Sequence, residues 1–223
     1  MKGRLLLNGT IKLLAGLLLI GILLFIPAGT IHFWNAWLLL GLLFVPMLFV
    51  GVILFIKAPE LLAKRLNSKE KEDEQKQVIV WSLLFFVGGF VIAGLDFRFG
   101  WARFADWIVI VASVIFVAAY GLYAEVMREN AYLSRTVEIQ ENQKVVDTGL
   151  YGIVRHPMYM AFTLLLLSMP VVLGSVCAFI VFLPFPLVLV KRIKNEEEIL
   201  EKGLEGYVEY KQKVKYRMIP FIW

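Results

Sequence analysis

The chain is poor in the residues that carry most soluble enzyme chemistry. It has a single cysteine, Cys177. No intrachain disulfide is possible, and its apolar neighbours predict a packed, inert thiol. Two histidines, His32 and His156, fall on opposite sides of the topology drawn below, so no His/Cys metal centre is expected. Charge is scarce as well: 18% of the 223 residues are Asp, Glu, Lys or Arg, against about a quarter in a soluble domain of this size. The balance is basic, at +5, yet no continuous basic surface with stacking aromatics accompanies it, and no nucleic-acid partner is expected. Charges are nearly absent from the apolar blocks, which argues against an ion path and hence against a transporter.

What is abundant is apolar: 60% of the residues are hydrophobic and the mean hydropathy is +0.75. The apolar residues come in blocks, at 11–27, 34–56, 78–95, 107–124 and 160–190, each long enough to cross the hydrocarbon as a helix. The last block exceeds one span and is broken by Pro170, Gly174, Pro184 and Pro186. Either one long broken helix or two short helices turning near Gly174–Ser175 fits it, and the hairpin is the preferred reading. The expected fold is therefore an all-α polytopic membrane protein of about six spans with a C-terminal helical hairpin. A single domain is expected over 1–223, with a four-helix membrane portion at 1–133 and the polar chemistry in 134–223.

Lysine and arginine crowd alternate connections. Lys57, Lys64, Arg65, Lys69, Lys71 and Lys76 follow the second block; Arg128, Arg135, Lys144 and Arg155 follow the fourth. The intervening connections are poor in net positive charge, so both termini are expected in the cytoplasm. The basic excess then reads as topology and contact with anionic lipid. The first block has some features of a signal peptide, but its length and Pro27 favour a retained helix. Trp34, Trp37, Trp101 and Trp107 stand at block edges as interfacial anchors.

Two polar stretches bracket the hairpin. In "GLYGIVRHPMY" (149–159) the glycines relax the backbone and Pro157 opens a helix, which places His156 beside the orphan N–H groups of a helix start, a position suited to an anion. Arg155 alone reads as an interface residue. In "KRIKNEEE" (191–198) Arg192 and Glu196 share a helix face, while Lys194, Glu197 and Glu198 read as solvated. Three acidic residues directly after a span still imply something cationic nearby. Tyr207, Tyr210, Val214, Tyr216, Met218 and Ile219 alternate with lysines and Arg217, the pattern of an element lying on the bilayer face.

The ordered set "TGLYGIVRHPMY", "RIKNEE", "GYVEY" and "YRMIP" resembles the isoprenylcysteine carboxyl methyltransferase family, more narrowly its prokaryotic membrane members, over roughly residues 134–223, which implies a prokaryotic inner or cell membrane. The resemblance implies S-adenosyl-L-methionine as cofactor, bound at the cytosolic membrane face without a Rossmann domain. Carried over by position, cofactor contacts fall on Gln143, Lys144, Val145, Val146, Tyr151, His156, Pro157, Met158, Tyr159 and Glu196, with a further one near Thr136. The substrate-side arginine falls on Arg192, as the catalytic residue. With that cofactor, Glu196 is expected to meet the ammonium, and His156 with nearby backbone N–H groups the carboxylate. The implied reaction is methyl transfer to the carboxylate of a lipidated, isoprenylcysteine-like acceptor that enters from the bilayer, with membrane lipids as the other partners. The family often has Phe-Gly-x-x-Tyr where this chain has "KGLEGYVEY", which leaves the acceptor more open than the cofactor. Phospholipid amine methylation and a non-enzymatic membrane binding protein are the alternatives.

Overall fold

The computed structural model describes residues 2–66, 73–133 and 139–223. The contact expected near Thr136 lies outside them. Among the described residues every regular element is helical: α1 (Lys2–Ala28), α2 (Trp34–Lys57), α3 (Pro59–Leu66), α4 (Asp73–Phe99), α5 (Asp106–Glu129), a 3₁₀ turn (Gly149–Gly152), α6 (Pro157–Val172), α7 (Val176–Phe182), α8 (Phe185–Gly203) and α9 (Tyr207–Lys213). The chain is an all-α polytopic membrane protein. Helices α1, α2, α4 and α5, and α7 running on into α8, are long and apolar enough to cross a membrane. The apolar blocks thus reappear as helices, several extended by polar turns that a hydropathy window cuts off. Only 11% of the apolar stretch of α1 and 17% of that of α2 is buried inside the protein, which leaves most of their side chains to face lipid.

The fifth block is a hairpin. Helix α6 has 16 residues, about 24 Å at 1.5 Å per residue and short of a full span. Its return is made by Gly174 at φ +75°, a left-handed conformation that side chains with a Cβ resist. The Ser175 hydroxyl then accepts from the Ala178 N–H at 3.0 Å and starts α7. Pro184 and Phe185 mark the break between α7 and α8.

Helix α5 packs along α6, α1 along α4, and α4 against both α7 and α8. Phe86, Phe90, Phe182 and Phe185 meet in the core with centroid separations of 5.7–5.9 Å. At one end of the bundle the α1–α2, α4–α5 and α6–α7 connections lock together. Asn35 donates to the Val172 carbonyl at 2.9 Å, Phe104 N–H to Gly174 at 3.0 Å and Val176 N–H to Ala102 at 3.1 Å. Buried Asp96 accepts there from the Ala102 N–H at 2.9 Å and from the Ser175 hydroxyl.

The opposite end gathers α3, the α5–α6 connection and the chain after α8. Lys64 on α3 donates to Gln140 at 2.6 Å, and Tyr210 on α9 to the Tyr151 carbonyl at 2.7 Å. The apolar side chains of the segment after α8, expected on a bilayer face, turn largely into the protein. Tyr207, Tyr210, Val214 and Met218 are buried: the first three cluster with Leu204, Val145, Ile139 and Leu200, and Met218 joins the main core of the bundle. Phe221 and Ile222 are left exposed.

Candidate functional site

The α5–α6 connection is held by its own polar groups. Asn130, just past α5, donates through Nδ2 to the Tyr151 hydroxyl at 2.9 Å and accepts from the Tyr132 N–H at 2.9 Å. Gln140 and Gln143 close a turn: the Gln143 N–H donates to the Gln140 carbonyl at 3.1 Å, and the Gln140 N–H to Gln143 Oε1 at 2.9 Å. Gly149 has φ +57°, and a Cβ there would fall on the Glu129 carboxylate, which accepts from the Leu150 N–H at 2.9 Å. Both constraints select glycine. Tyr151 follows, buried and fixed at hydroxyl and carbonyl. Burial pushes its phenol well above the ordinary value, so the hydroxyl stays neutral. At the surface Asp147 pairs with Lys213 at 2.8 Å, which lowers the Asp147 carboxyl.

The Arg-His-Pro triplet then fastens the segment after α8 to the start of α6. The Arg155 N–H donates to the Tyr216 carbonyl at 2.9 Å and the His156 N–H to Arg217 at 2.7 Å. The Arg155 guanidinium reaches the carbonyls of Val214 and Lys215 at 2.6 and 2.9 Å. Its Nε donates to Glu197 Oε1 at 2.8 Å, His156 Nε2 lies 3.2 Å from the same oxygen, and Arg217 Nε donates to Glu197 Oε2 at 2.8 Å. Arg217 also lies over the Trp223 ring at 5.3 Å.

Two sequence-based expectations fail here. Glu197 is not solvated: it is 2% exposed. Arg155 is not an interface residue but a buried partner of Glu197. A lone carboxylate in that position carries a large desolvation cost, and two guanidiniums and an imidazole offset it. The cation implied by the acidic run is therefore supplied, for Glu197, by the protein itself. His156 caps α6 without a side-chain bond to its N–H groups and presents one ring nitrogen to Glu197, so that nitrogen is not available to an anion.

Beside this cluster a cleft opens between the α5–α6 connection, the start of α6, the C-terminal half of α8 and α9. Gln143, Lys144, Val145, Val146, Tyr151, His156, Met158, Tyr159, Arg192 and Glu196 all line it. Pro157 does not; it takes the first position of α6, where its missing N–H costs nothing. On the cleft wall Tyr159 donates to Glu196 Oε2 at 2.6 Å and accepts from Arg192 Nε at 2.9 Å. The hydroxyl thus stands between the two residues of α8 that face it.

Several lining residues were not assigned to the site from the sequence. Asn130, Tyr132, Leu133, Arg155, Ile199, Leu200, Leu204, Tyr207 and Tyr210 complete the cleft. The GY-x-x-Y spacing puts Tyr207 and Tyr210 three apart, on one helix face, and was the available signal for them. Among the described residues no cluster of three potential metal ligands occurs. His32 lies at the far end of the bundle, in the α1–α2 connection.

The chain is 30% identical over 91 residues to the mouse (Mus musculus) protein "Delta(14)-sterol reductase TM7SF2", a stretch that is 40% of this chain and 22% of that protein. The chain therefore spans about a fifth of the length of this relative. Residues 108–202, from the first turns of α5 to the last turn of α8, match the model of the Isoprenylcysteine carboxyl methyltransferase (ICMT) family.

Proposed function

We propose that the cleft binds S-adenosyl-L-methionine and that the chain transfers its methyl group to the carboxylate of a lipidated, isoprenylcysteine-like acceptor at the cytosolic membrane face. The observation that carries this reading is the wall Arg192–Tyr159–Glu196, with a carboxylate and a guanidinium held side by side by one hydroxyl. The family match over residues 108–202 covers both sides of that wall. We place the cleft in the cytosol because the basic connections gather at its end of the bundle.

The residues fit the cofactor. Glu196 is half-buried and suits an ammonium; the rings of Tyr151 and Tyr207 suit an adenine or a sulfonium. The bound cofactor supplies an activated methyl group. The acceptor carboxylate is ionised at neutral pH, so the protein needs no general base. What it has to supply is alignment and partial desolvation. Arg192 is the catalytic residue in this reading: its fork orients the acceptor carboxylate while Tyr159 keeps the guanidinium from collapsing onto Glu196.

The likeness to a sterol reductase favours a second reading, in which the same cleft takes a hydride donor for reduction of a sterol-like lipid. Calorimetry on detergent-solubilised protein separates them. Saturable binding of S-adenosyl-L-methionine without binding of a reduced nicotinamide supports methyl transfer; the reverse pattern removes it. Turnover assays with a prenylcysteine analogue and an amine phospholipid then distinguish carboxylate from amine methylation. If neither cofactor binds, both enzyme readings fall.

A further inference from the structure

The Tyr207 side chain is only 4% exposed and lines the cleft. Its hydroxyl is buried yet finds no hydrogen-bond partner among the described residues. An orphaned buried hydroxyl costs about 1–3 kcal/mol, so native proteins keep few of them. The neighbouring tyrosines are satisfied: Tyr210 donates to the Tyr151 carbonyl, and Tyr151 accepts from Asn130. Burial, then the carboxylates of Glu197 and Glu196, push the Tyr207 phenol well above its ordinary value. It remains a hydrogen-bond donor at any working pH, in a cleft shared with Glu196.

From this we infer that Tyr207 is a ligand-binding residue, whose hydroxyl donates to the α-carboxylate of the amino-acid end of the cofactor. The inference rests on the methyl-donor reading above and replaces one of its contacts. His156 was the expected donor to that carboxylate, but its Nε2 faces Glu197. An α-amino acid carries its ammonium and carboxylate on one carbon, so the groups that receive them must be neighbours. Glu196 receives the ammonium, and Tyr207 lines the same cleft. The ribose hydroxyls stand several bonds further away.

The test uses the full-length protein in detergent, with Tyr207→Phe, which keeps the ring. Calorimetry compares S-adenosyl-L-methionine with its decarboxylated analogue. The substitution should weaken binding of the intact cofactor by roughly 10–100-fold, the loss of one hydrogen bond to a charged group. It should leave the affinity of the decarboxylated analogue unchanged. Without ligand, Tyr207→Phe should melt at the same or a higher temperature than wild type, because it deletes an unsatisfied buried group. A purely structural tyrosine would lower the melting temperature instead. Equal affinity of both proteins for the intact cofactor overturns the assignment of Tyr207 and leaves the methyl-donor reading standing. Equal weakening of both ligands overturns the carboxylate contact in favour of another oxygen of the cofactor. A wild type that binds neither ligand overturns the methyl-donor reading, and this inference with it.

Discussion

Tyr159, in the first turn of α6, donates its hydroxyl hydrogen to Glu196 in α8 across 2.6 Å, and the same oxygen accepts from Arg192 at 2.9 Å. The two ends of the hairpin are joined by this bond at the mouth of the cleft. An i,i+4 pair such as Arg192 and Glu196 ordinarily forms a helix salt bridge worth a few tenths of a kcal/mol. Here the Tyr159 hydroxyl bridges them instead, bonded to both.

Tyr159→Phe removes the spacer. We expect Arg192 to close onto Glu196, and donor affinity to fall together with turnover. Glu196→Ala should weaken S-adenosyl-L-methionine binding by roughly 10–150-fold, from loss of about 1.5–3 kcal/mol. Calorimetry with both variants decides it. Wild-type affinity in Glu196→Ala would take Glu196 out of the site.

Arg192→Ala should leave donor binding nearly intact and lower methyl transfer by about 10²-fold, as expected for a hydrogen bond made mainly in the transition state. Arg192→Lys should recover only part of that rate, since a point charge does not reproduce the guanidinium fork. The measurement pairs calorimetry with turnover on a prenylcysteine analogue. A drop in donor affinity equal to that of Glu196→Ala contradicts the division of labour.

Glu197 and Glu198 are adjacent, with opposite fates. Glu198 is exposed, and Glu198→Ala should change stability by no more than about 0.5 kcal/mol. Glu197→Ala leaves Arg155 and Arg217 facing each other without their carboxylate and should cost about 3–5 kcal/mol. Thermal unfolding in detergent reads both, and limited proteolysis should cut the segment after α9 in the Glu197 variant alone. Equal melting temperatures would mean that the ionic cluster does not hold that segment.

Topology is open to cysteine labelling in a Cys177→Ser background. Ser175 marks the hairpin turn but is only 2% exposed, so a probe there would report burial rather than sidedness. His32 and Glu141 are both exposed, in connections at opposite ends of the bundle. Cysteine at 32 should react from outside the cell and cysteine at 141 only after permeabilisation. Labelling of both from one side contradicts the arrangement.

The membrane class, the helical blocks and the turn at Gly174 could all be read from the sequence, because they follow from local properties. Runs of apolar residues have one stable form in hydrocarbon, and a glycine between proline-marked helices has few alternatives. The gathering of Tyr151, His156, Tyr159, Arg192 and Glu196 was also legible, since a tight hairpin brings its two open ends together. The state of each charge was not legible. Glu196, Glu197 and Glu198 are chemically identical neighbours, and a helix turns about 100° between them. Which one faces the cleft, which faces Arg155 and Arg217 and which faces water depends on how α8 is rotated against α6 and on where the chain after α9 returns. That rotation is decided by packing over the whole bundle. It buried Glu197, engaged His156 with it and left the Tyr207 hydroxyl without a partner among the described residues, and no window along the sequence contains the contacts responsible.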